Sequence, residues 1–256
     1  MTKKYSRLVL LAAILAALAV APGQARQSSA EHVHIVLLGT TDIHGNIFPE
    51  DYYANHAANR GLAKIETLVK QERTKDPNAL LLDSGDIIEG TPLAYYFARK
   101  DTSVPNPTIT VMNAMKYDAA ACGNHEFNFG LDVLWKAKRE AKFPILAANL
   151  KQTFVNGVEY FEPYIIKNVN GVRVGIVGFI TPGVPRWEIP AHYKGYEFEQ
   201  IVASAQKVIP EVRKKADIVV VIAHSGLGPD PAGHSQSEAD EISGENAMIA
   251  LAEQVP

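Results

Sequence analysis

The chain has 256 residues, enough for one large domain or two small ones, and its apolar share of 47% and charged share of 21% are those of an ordinary globular protein. A formal net charge of −3 excludes the basic excess of a protein that coats nucleic acid, so we expect no nucleic-acid polymer as a partner. The single cysteine, Cys122, excludes a disulfide framework and a thiolate zinc cluster, and we interpret it as a small buried residue.

Residues 1–25 have the pattern of a secretory signal peptide. Lys3, Lys4 and Arg7 precede an uninterrupted apolar run from Leu8 to Val20, and small residues follow as far as Ala25. The run is shorter than the roughly 20 residues of a membrane-spanning helix, although an uncleaved anchor is the alternative. The pattern predicts cleavage near Ala25 and a secreted, periplasmic or cell-surface bacterial protein with no stable membrane span. Loss of three positive and no negative charges would take the net charge from −3 to −6.

Strands and helices alternate over the first part of the chain beyond the signal peptide. Short apolar runs predict strands, and apolar residues at a spacing of three or four predict helices. The predicted strands are 33–38, 79–82, 118–122 and 143–148, and the predicted helices are 61–73, 93–99, 108–116 and 131–142. This alternation is typical of βαβ units in a parallel sheet, and the continuous apolar run at 33–38 indicates a strand covered on both faces.

The pattern changes after residue 154. Asn156-Gly157 and Asn170-Gly171 are hairpin turn signals, which predict antiparallel strands up to residue 180. Residues 181–195 contain three prolines and are expected to form a surface loop. A helix over 198–215, interrupted or kinked near Pro210, leads to the clearest buried strand of the chain, 217–223. A loop over 227–244 and a helix over 245–254 follow, and βαβ logic expects a further strand beyond Pro256.

Polar side chains suited to metal binding follow four of the predicted strands. The carboxyl ends of the strands are where open α/β sheets place their chemistry. Oxygen and imidazole ligands without cysteine suit divalent Mn, Zn, Fe or Co, although each motif alone is a weak signal. These side chains belong to Asp42, His44, Asp86, Asn124, His125 and His224.

Taken together, the strand-end motifs resemble those of the calcineurin-like metallophosphoesterases, and among them the secreted nucleotidases. The resemblance is nearest to the bacterial 2',3'-cyclic-nucleotide 2'-phosphodiesterase/3'-nucleotidase type and covers residues 33–256. It implies an α/β fold, a four-layer αββα sandwich of mixed sheets flanked by helices, with a metallophosphatase domain over 26–256. The motifs are Asp42-Ile43-His44, Gly85-Asp86, Gly123-Asn124-His125-Glu126 and Ala223-His224-Ser225-Gly226.

The resemblance also implies a role for each of these residues around two divalent metal ions. Asp42 and His44 would hold the first ion, and Asp86 would bridge both. Asn124 and His224 would hold the second ion, while His125 would face the substrate phosphate as a catalytic residue. A hydroxide shared by the two ions would attack phosphorus in a nucleotide ester. Glu126 would give structural support.

One family motif is expected to be missing. Gly233-His234-Ser235-Gln236 matches the final Gly-His-x-Gln ligand motif by letters, but no strand precedes it, so we interpret it as a chance match. The true motif is expected beyond Pro256. The sequence then predicts a domain incomplete at its C-terminus, without its last strand or the nucleotide-binding domain that follows in the family. A catalytically inactive metal-binding fragment is the rival hypothesis.

Asn128 favours one branch of the family. In the resembled 5'-nucleotidases an aspartate stands at this position and orients His125, whereas the phosphodiesterase branch tolerates asparagine. Asparagine accepts a hydrogen bond but adds no charge. The alternative role for Asn128 is the cap of the following helix, and the alternative activities are 5'-nucleotidase and nucleotide-sugar hydrolase. His192 is interpreted as a solvated or packing residue.

Overall fold

The computed structural model describes residues 32–153, 159–228 and 244–255. The predicted signal peptide, the Asn156-Gly157 turn and the His234 motif lie outside these residues. From His34 onward the described residues belong to one unit. Within the described ranges, no helix has the length and apolar character needed to cross a membrane.

The first sheet contains four parallel strands joined by helices, as the βαβ pattern predicted. Its strands are paired in the order Leu37–Thr40, Leu80–Asp83, Ala119–Ala121, Ile145–Leu146. The strands of this half, with a two-residue ribbon β2–β3, are β1 (Leu37–Thr40), β2 (Glu50–Asp51), β3 (His56–Ala57), β4 (Leu80–Asp83), β5 (Ala119–Ala121) and β6 (Ile145–Leu146). The helices are α1 (Leu62–Lys75), α2 (Pro92–Arg99), α3 (Pro107–Met115) and α4 (Leu131–Glu140).

Local sequence explains where two of these helices begin. Thr91 caps α2 by accepting a hydrogen bond from the Ala94 backbone N–H at 3.1 Å, and Asn106 caps α3 by accepting one from the Ile109 N–H at 3.1 Å. A proline follows each cap, where its missing N–H costs nothing. Both helices therefore start at the residues that their capping side chains define.

The second sheet is mixed, with its strands in the order Ile218–His224, Val172–Ile180, Tyr164–Val169. The remaining elements are β7 (Leu150–Gln152), β8 (Tyr164–Val169), β9 (Val172–Ile180), α5 (Val184–Trp187), β10 (Tyr196–Phe198), α6 (Ile201–Arg213), β11 (Ile218–His224) and α7 (Met248–Gln254). Strands β8 and β9 form the predicted antiparallel hairpin, and Asn170 and Gly171 both have positive φ at its turn. Strand β11 runs parallel to β9, and β7 pairs antiparallel with β10.

Three apolar clusters hold the layers together. Leu62, Ile109 and Leu134 belong to the cluster that joins α1, α3 and α4 to the first sheet. Leu82 of β4 and Ile176 of β9 belong to a second cluster, between the two sheets. The third packs β9 against α6 and α7 and includes Phe179, Ala205 and Val212. The layers are therefore helix, sheet, sheet, helix, which confirms the predicted αββα sandwich; each fully buried leucine or isoleucine contributes about 1.5–3 kcal/mol.

Both strands predicted to be covered on two faces are only partly buried. Leu37 in β1 is 46% exposed and Ile218 in β11 is 44% exposed. Among the described strands, each lies at the edge of its sheet, so it has one strand neighbour and incomplete cover. An apolar run predicts a strand, but it does not predict how many neighbouring strands that strand has.

Two predictions about the second half need correction. The expected surface loop over 181–195 contains α5 and a 3-10 turn, Pro190–Tyr193, and buries Val184 in the first core cluster. The helix expected to be interrupted or kinked near Pro210 is not interrupted: it is one element, α6, with Pro210 inside it. Cys122 is buried, as predicted.

Candidate metal centre

Three loops at the carboxyl end of the first sheet are tied together by their backbones. The Asp42 N–H donates to the Gly85 carbonyl at 3.1 Å, and the His44 N–H donates to the Asp86 carbonyl at 2.8 Å. The His125 N–H donates to Oδ1 of Asp86 at 2.9 Å. The loops after β1, β4 and β5 therefore form one hydrogen-bonded platform, as the strand-end argument predicted.

The carboxylate of Asp86 lies at the centre of this platform. Its Oδ2 is 3.0 Å from Nε2 of His224, 3.8 Å from Nε2 of His44 and 4.0 Å from Nε2 of His125. Oδ1 of Asp42 lies 3.7 Å from Nε2 of His44. Two groups of possible metal ligands result, His44–Asp86–His125 and Asp42–Asp86–His224, each with its ligand atoms within 4.8 Å of one another. Asp86 is common to both, which is the position of a bridging ligand.

Three of these residues have strained backbones. Asp42, His44 and Asp86 have φ values of 50°, 48° and 62°, in the left-handed region that side chains other than glycine rarely adopt. Such conformations cost of order 1–3 kcal/mol each and persist where the surroundings enforce them, typically at functional sites. The hydrogen bonds between the loops supply that enforcement here.

Gly123 allows the loop after β5 to approach Asp86 closely. A Cβ atom at position 123 would lie 2.2 Å from Oδ1 of Asp86 and 2.7 Å from Oε2 of Glu126. No side chain fits there, so the glycine of the Gly-Asn-His-Glu motif is required by the packing of the site itself.

Glu126 supports the platform from below. It is buried, and its carboxylate accepts hydrogen bonds from the backbone N–H groups of Gly123 at 2.6 Å, Asp86 at 3.0 Å and Ile87 at 2.5 Å. Burial raises the pKa of this carboxyl, and the charge of Asp86 raises it further. These contacts agree with the supporting role expected of Glu126.

Asp86 and His224 stabilise each other's charged form. Burial raises the pKa of Asp86, but the hydrogen bond and charge of His224 outweigh it and leave the pKa below its usual value. Burial lowers the pKa of His224, but the hydrogen bond and charge of Asp86 outweigh it and raise the pKa to about 9. The pair is therefore ionised at neutral pH when no metal is bound.

The orientation of two imidazoles fits metal binding. Nδ1 of His224 lies 3.1 Å from the Ser84 carbonyl, and Nδ1 of His44 lies 3.0 Å from the Glu89 carbonyl. Each ring thus donates from Nδ1 to a backbone oxygen and directs Nε2 towards Asp86. Backbone carbonyls commonly orient metal-binding histidines in this way. The donor set and its orientation fit divalent ions; the metal identity and the individual ligand roles stay predictions.

His125 and Asn124 occupy the loop after β5. The His125 ring lies with its centroid 5.0 Å from that of His44, close enough to Asp86 for either a ligand or a substrate-facing role. Asn124 is half-buried and directly precedes the 3-10 turn His125–Phe127. The structure therefore brings the five predicted carboxylate and imidazole residues together and places Asn124 beside them.

The side chain of Asn128 contacts His125 and does not cap α4. Its Oδ1 lies 2.5 Å from Nδ1 of His125, whereas α4 begins after Gly130 without a side-chain cap. The capping alternative is therefore wrong. The amide of Asn128 donates in turn to Glu188, whose other oxygen lies 2.6 Å from Nδ1 of His192. His192 is paired with a carboxylate, which corrects its interpretation as a solvated or packing residue.

Sequence reasoning missed Glu89 and Glu188. An oxygen of Glu89 lies 3.2 Å from Nδ1 of His125. Glu188 belongs to the segment 181–195, far along the chain from the motif it contacts. Neither residue is part of a recognisable motif. The spacing Glu188–His192 was the only available signal, since an i,i+4 acid–histidine pair often forms a contact on helical turns.

An αββα sandwich with carboxylates and imidazoles gathered at its strand ends is the architecture of a metallophosphoesterase domain. The chain belongs to the calcineurin-like phosphoesterase family, whose match covers residues 35–254. Members of this family use a dinuclear metal site, in agreement with two ligand groups that share Asp86. The family indicated by the strand-end motifs is thereby confirmed.

The names of several similar proteins refer to nucleotide substrates. The chain is 38% identical over 248 residues to the trifunctional nucleotide phosphoesterase protein YfkN of Bacillus subtilis, covering 90% of this chain and 16% of that protein. It is 37% identical to a 2',3'-cyclic-nucleotide 2'-phosphodiesterase/3'-nucleotidase of Haemophilus influenzae, covering 78% and 32%. It is 34% identical to a 5'-nucleotidase of Vibrio cholerae, covering 85% and 39%.

A crystal structure of calcineurin-like phosphoesterase YfkN from Bacillus subtilis matches this fold with a TM-score of 0.73 and 39% identity, covering 86% of this chain and 68% of that one. The chain spans between 16% and 39% of the length of the three curated relatives. Their full activities therefore belong to proteins much longer than this sequence.

Proposed function

We propose that this chain carries the dinuclear metal centre of a nucleotide phosphoesterase that hydrolyses 2',3'-cyclic nucleotides or 3'-nucleotides. The observation that carries the proposal is the position of Asp86, shared by two groups of ligand side chains. The names of the relatives support a nucleotide substrate. Asparagine at position 128, in contact with His125, supports the cyclic phosphodiesterase branch.

In this proposal each side chain has a defined task. Asp42 and His44, whose Oδ1 and Nε2 lie 3.7 Å apart, would hold one ion, Asn124 and His224 would hold the other, and Asp86 would contribute to both. The groups formed by distance alone join Asp42 with His224 and His44 with His125, and Asp86 is common to both in either pairing. When bound, the two divalent ions supply the Lewis-acid chemistry that activates water and neutralises phosphate charge. His125, with a proton on each ring nitrogen, would hold a phosphate oxygen through Nε2 and donate the Nε2 proton to the departing alkoxide, keeping the proton on Nδ1, because Nε2 faces the centre while Nδ1 contacts Asn128.

Calorimetry and turnover test this function together. The purified chain is titrated with Mn²⁺ or Zn²⁺ and assayed on 2',3'-cyclic AMP and 3'-AMP. We expect two ions per chain, turnover of both substrates, and a loss of at least about 100-fold in His125→Ala. His56→Ala, at an exposed histidine of β3, is the matched control and retains activity. Full activity of His125→Ala would contradict the role given to that residue.

Two rival functions predict different results in the same assays. A 5'-nucleotidase or nucleotide-sugar hydrolase, favoured by the Vibrio cholerae relative, turns over 5'-AMP or UDP-glucose in preference to the 2'- and 3'-esters. A catalytically inactive metal-binding fragment takes up one weakly held ion and turns over none of these substrates. Release of phosphate from the individual AMP isomers decides between the branches.

We also infer that the protein is exported and that residues 26–256 are its metallophosphatase part. The basic start and apolar run of residues 1–25 support this inference. Expression in a Gram-negative bacterium and N-terminal sequencing of the periplasmic fraction test it. We expect the mature chain to start at Arg26; recovery with residues 1–25 intact in the membrane would support an uncleaved anchor.

A further inference from the structure

A chain of hydrogen bonds runs from His125 to a carboxylate that no motif predicted. Oδ1 of Asn128 lies 2.5 Å from Nδ1 of His125, and the Asn128 amide donates to Oε1 of Glu188. Oε2 of Glu188 lies 2.6 Å from Nδ1 of His192. From this geometry we propose that Glu188 is a positioning residue, which acts through Asn128 to orient the His125 ring, so that Nδ1–H donates to the Asn128 carbonyl and Nε2 faces the metal centre.

The donors and acceptors leave one consistent arrangement. An ionised carboxylate only accepts hydrogen bonds, so Glu188 must face the NH₂ group of Asn128. The carbonyl oxygen of Asn128 is then turned towards His125, and it too only accepts. Nδ1 of His125 must therefore carry a proton, and Nε2 is the atom directed at Asp86. The carboxylate of Glu89, 3.2 Å from the same Nδ1, is a second acceptor and agrees with this tautomer.

Glu188 is placed to maintain this arrangement. Its side chain is only 8% exposed, and it lies at the C-cap of α5, so it is held by the fold. His192, four residues later in the 3-10 turn, fixes the second oxygen. The oxygen and NH₂ ends of the Asn128 amide are similar in shape, and the amide is neutral. Without Glu188 the amide is therefore free to rotate and present its NH₂ group to His125. The carboxylate supplies the asymmetry that the asparagine lacks.

The kinetic test of this inference rests on the proposed function. It exchanges the amide at position 128 and the carboxylate at position 188, first one and then both. Asn128→Asp places two carboxylates within hydrogen-bond distance and removes the donor, so we expect a fall in kcat of about 10- to 100-fold with little change in KM. Adding Glu188→Gln returns an NH₂ donor from the other side. The double variant is expected to recover at least tenfold relative to Asn128→Asp alone.

The opposite result would overturn the proposal. If Asn128 and Glu188 act independently, or only through general packing, the double variant is as impaired as Asn128→Asp or worse. Wild-type kcat in Asn128→Asp would also contradict it. Glu199→Ala is the matched control, because it removes a half-buried carboxylate paired with Lys151 and Lys207 and lies outside this hydrogen-bond chain.

A spectroscopic readout separates this inference from the proposed function. Two-bond ¹⁵N–¹H spectra of the metal-free protein with ¹⁵N-labelled histidine report the tautomer of each neutral ring, and His125→Gln assigns the signals of His125. We expect the Nδ1–H form in the wild-type protein and a mixture of tautomers in Glu188→Ala. An unchanged His125 tautomer together with unchanged kcat in Glu188→Ala would refute the positioning role. If no nucleotide is turned over, the spectra still decide it.

Discussion

Nε2 of His224 lies 3.0 Å from Oδ2 of Asp86, and this contact joins the ends of two strands that belong to different sheets. Asp86 follows β4 in the first sheet, and His224 ends β11 in the second. The αββα packing thus brings its two sheets together at the point where metal ligands are needed. Without metal, the same two residues form an ion pair that offsets their mutual desolvation.

The metal-free protein should lose stability as the pH rises through the pKa of His224. The pKa is raised from its ordinary value of 6.5 to about 9, so the stabilisation is fully present below pH 6.5 and is lost as the pH rises through 9. We expect a loss on the order of 2 kcal/mol in the free energy of unfolding over that window. Denaturant titrations in chelator at several pH values measure it.

Asp86→Asn is the variant that checks this assignment. It should remove most of the pH dependence between pH 6.5 and 9, because the partner charge is gone. Asp132→Asn, an exposed aspartate in the first turn of α4, is the control and should retain the wild-type profile. The same steep profile in Asp86→Asn would show that another group titrates in this window.

Asp83 should also make the protein less stable as the pH rises, but over a lower pH range than His224. This carboxyl is fully buried and accepts hydrogen bonds from the hydroxyl of Thr40 at 2.6 Å and the N–H of Gly85 at 2.8 Å. Burial dominates and raises its pKa to about 7. The folded state then favours the protonated acid, so Asp83 destabilises the protein progressively between pH 3.8 and 7 and fully above it.

The free energy of unfolding of Asp83→Asn should therefore increase, relative to that of the wild-type protein, as the pH rises from 4 to 8. The change amounts to several kcal/mol at most, since one pKa unit corresponds to about 1.4 kcal/mol. Unfolding by urea at pH 5 and pH 8 measures the difference. An offset between the two proteins that does not change with pH would mean that Asp83 keeps an ordinary pKa.

Gly123→Ala should damage both stability and metal binding. Its Cβ would lie 2.2 Å from Oδ1 and 2.4 Å from the backbone nitrogen of Asp86, so the loop must move. Overpacking of this kind costs about 1–3 kcal/mol. Gly39→Ala in β1 is the matched control, because its Cβ would have no heavy atom within 4 Å. Thermal unfolding and Mn²⁺ titration should show reduced stability and weaker Mn²⁺ binding for Gly123→Ala but not for Gly39→Ala. Equal stability and binding in the two variants would contradict this prediction.

Glu126→Gln should destabilise the platform although it changes one atom. Each oxygen of the carboxylate accepts from backbone N–H groups, Oε2 from Gly123 and Asp86 and Oε1 from Ile87 and Ile88. The NH₂ of glutamine would face N–H donors and leave them without an acceptor, at a cost of about 1–3 kcal/mol each. Chemical denaturation measures it, with Glu72→Gln on the surface of α1 as the control. An unchanged midpoint would mean that the site rearranges without cost.

Much of the candidate site was predictable because it is encoded locally. Each predicted site residue follows an apolar strand, and parallel strands end at a common edge of the sheet. These residues are Asp42, His44, Asp86, Asn124, His125 and His224. The structure gathers the five carboxylate and imidazole residues of this set around Asp86. Their distances to one another were not predictable, since they depend on backbone strain and on Gly123.

The contacts that join distant parts of the chain were not predictable from local patterns. Glu188 and His125 are far apart in sequence, and only the packing of the segment after β9 against the loop after β5 connects them through Asn128. The prediction that β1 and β11 are fully buried was wrong for the same reason, because burial depends on the neighbours that a strand acquires.

Local sequence patterns were enough to predict the order of the strands and helices, the ligand types at the strand ends and the family to which the chain belongs. These follow from periodicity and short motifs, which are properties of neighbouring residues. The tertiary structure was needed for the distances from Asp86 to the three imidazoles, for the backbone N–H groups that Glu126 accepts from, and for the contact of Glu188 with Asn128. Each of these depends on side chains meeting across loops and sheets, and short-range patterns carry no information about such meetings.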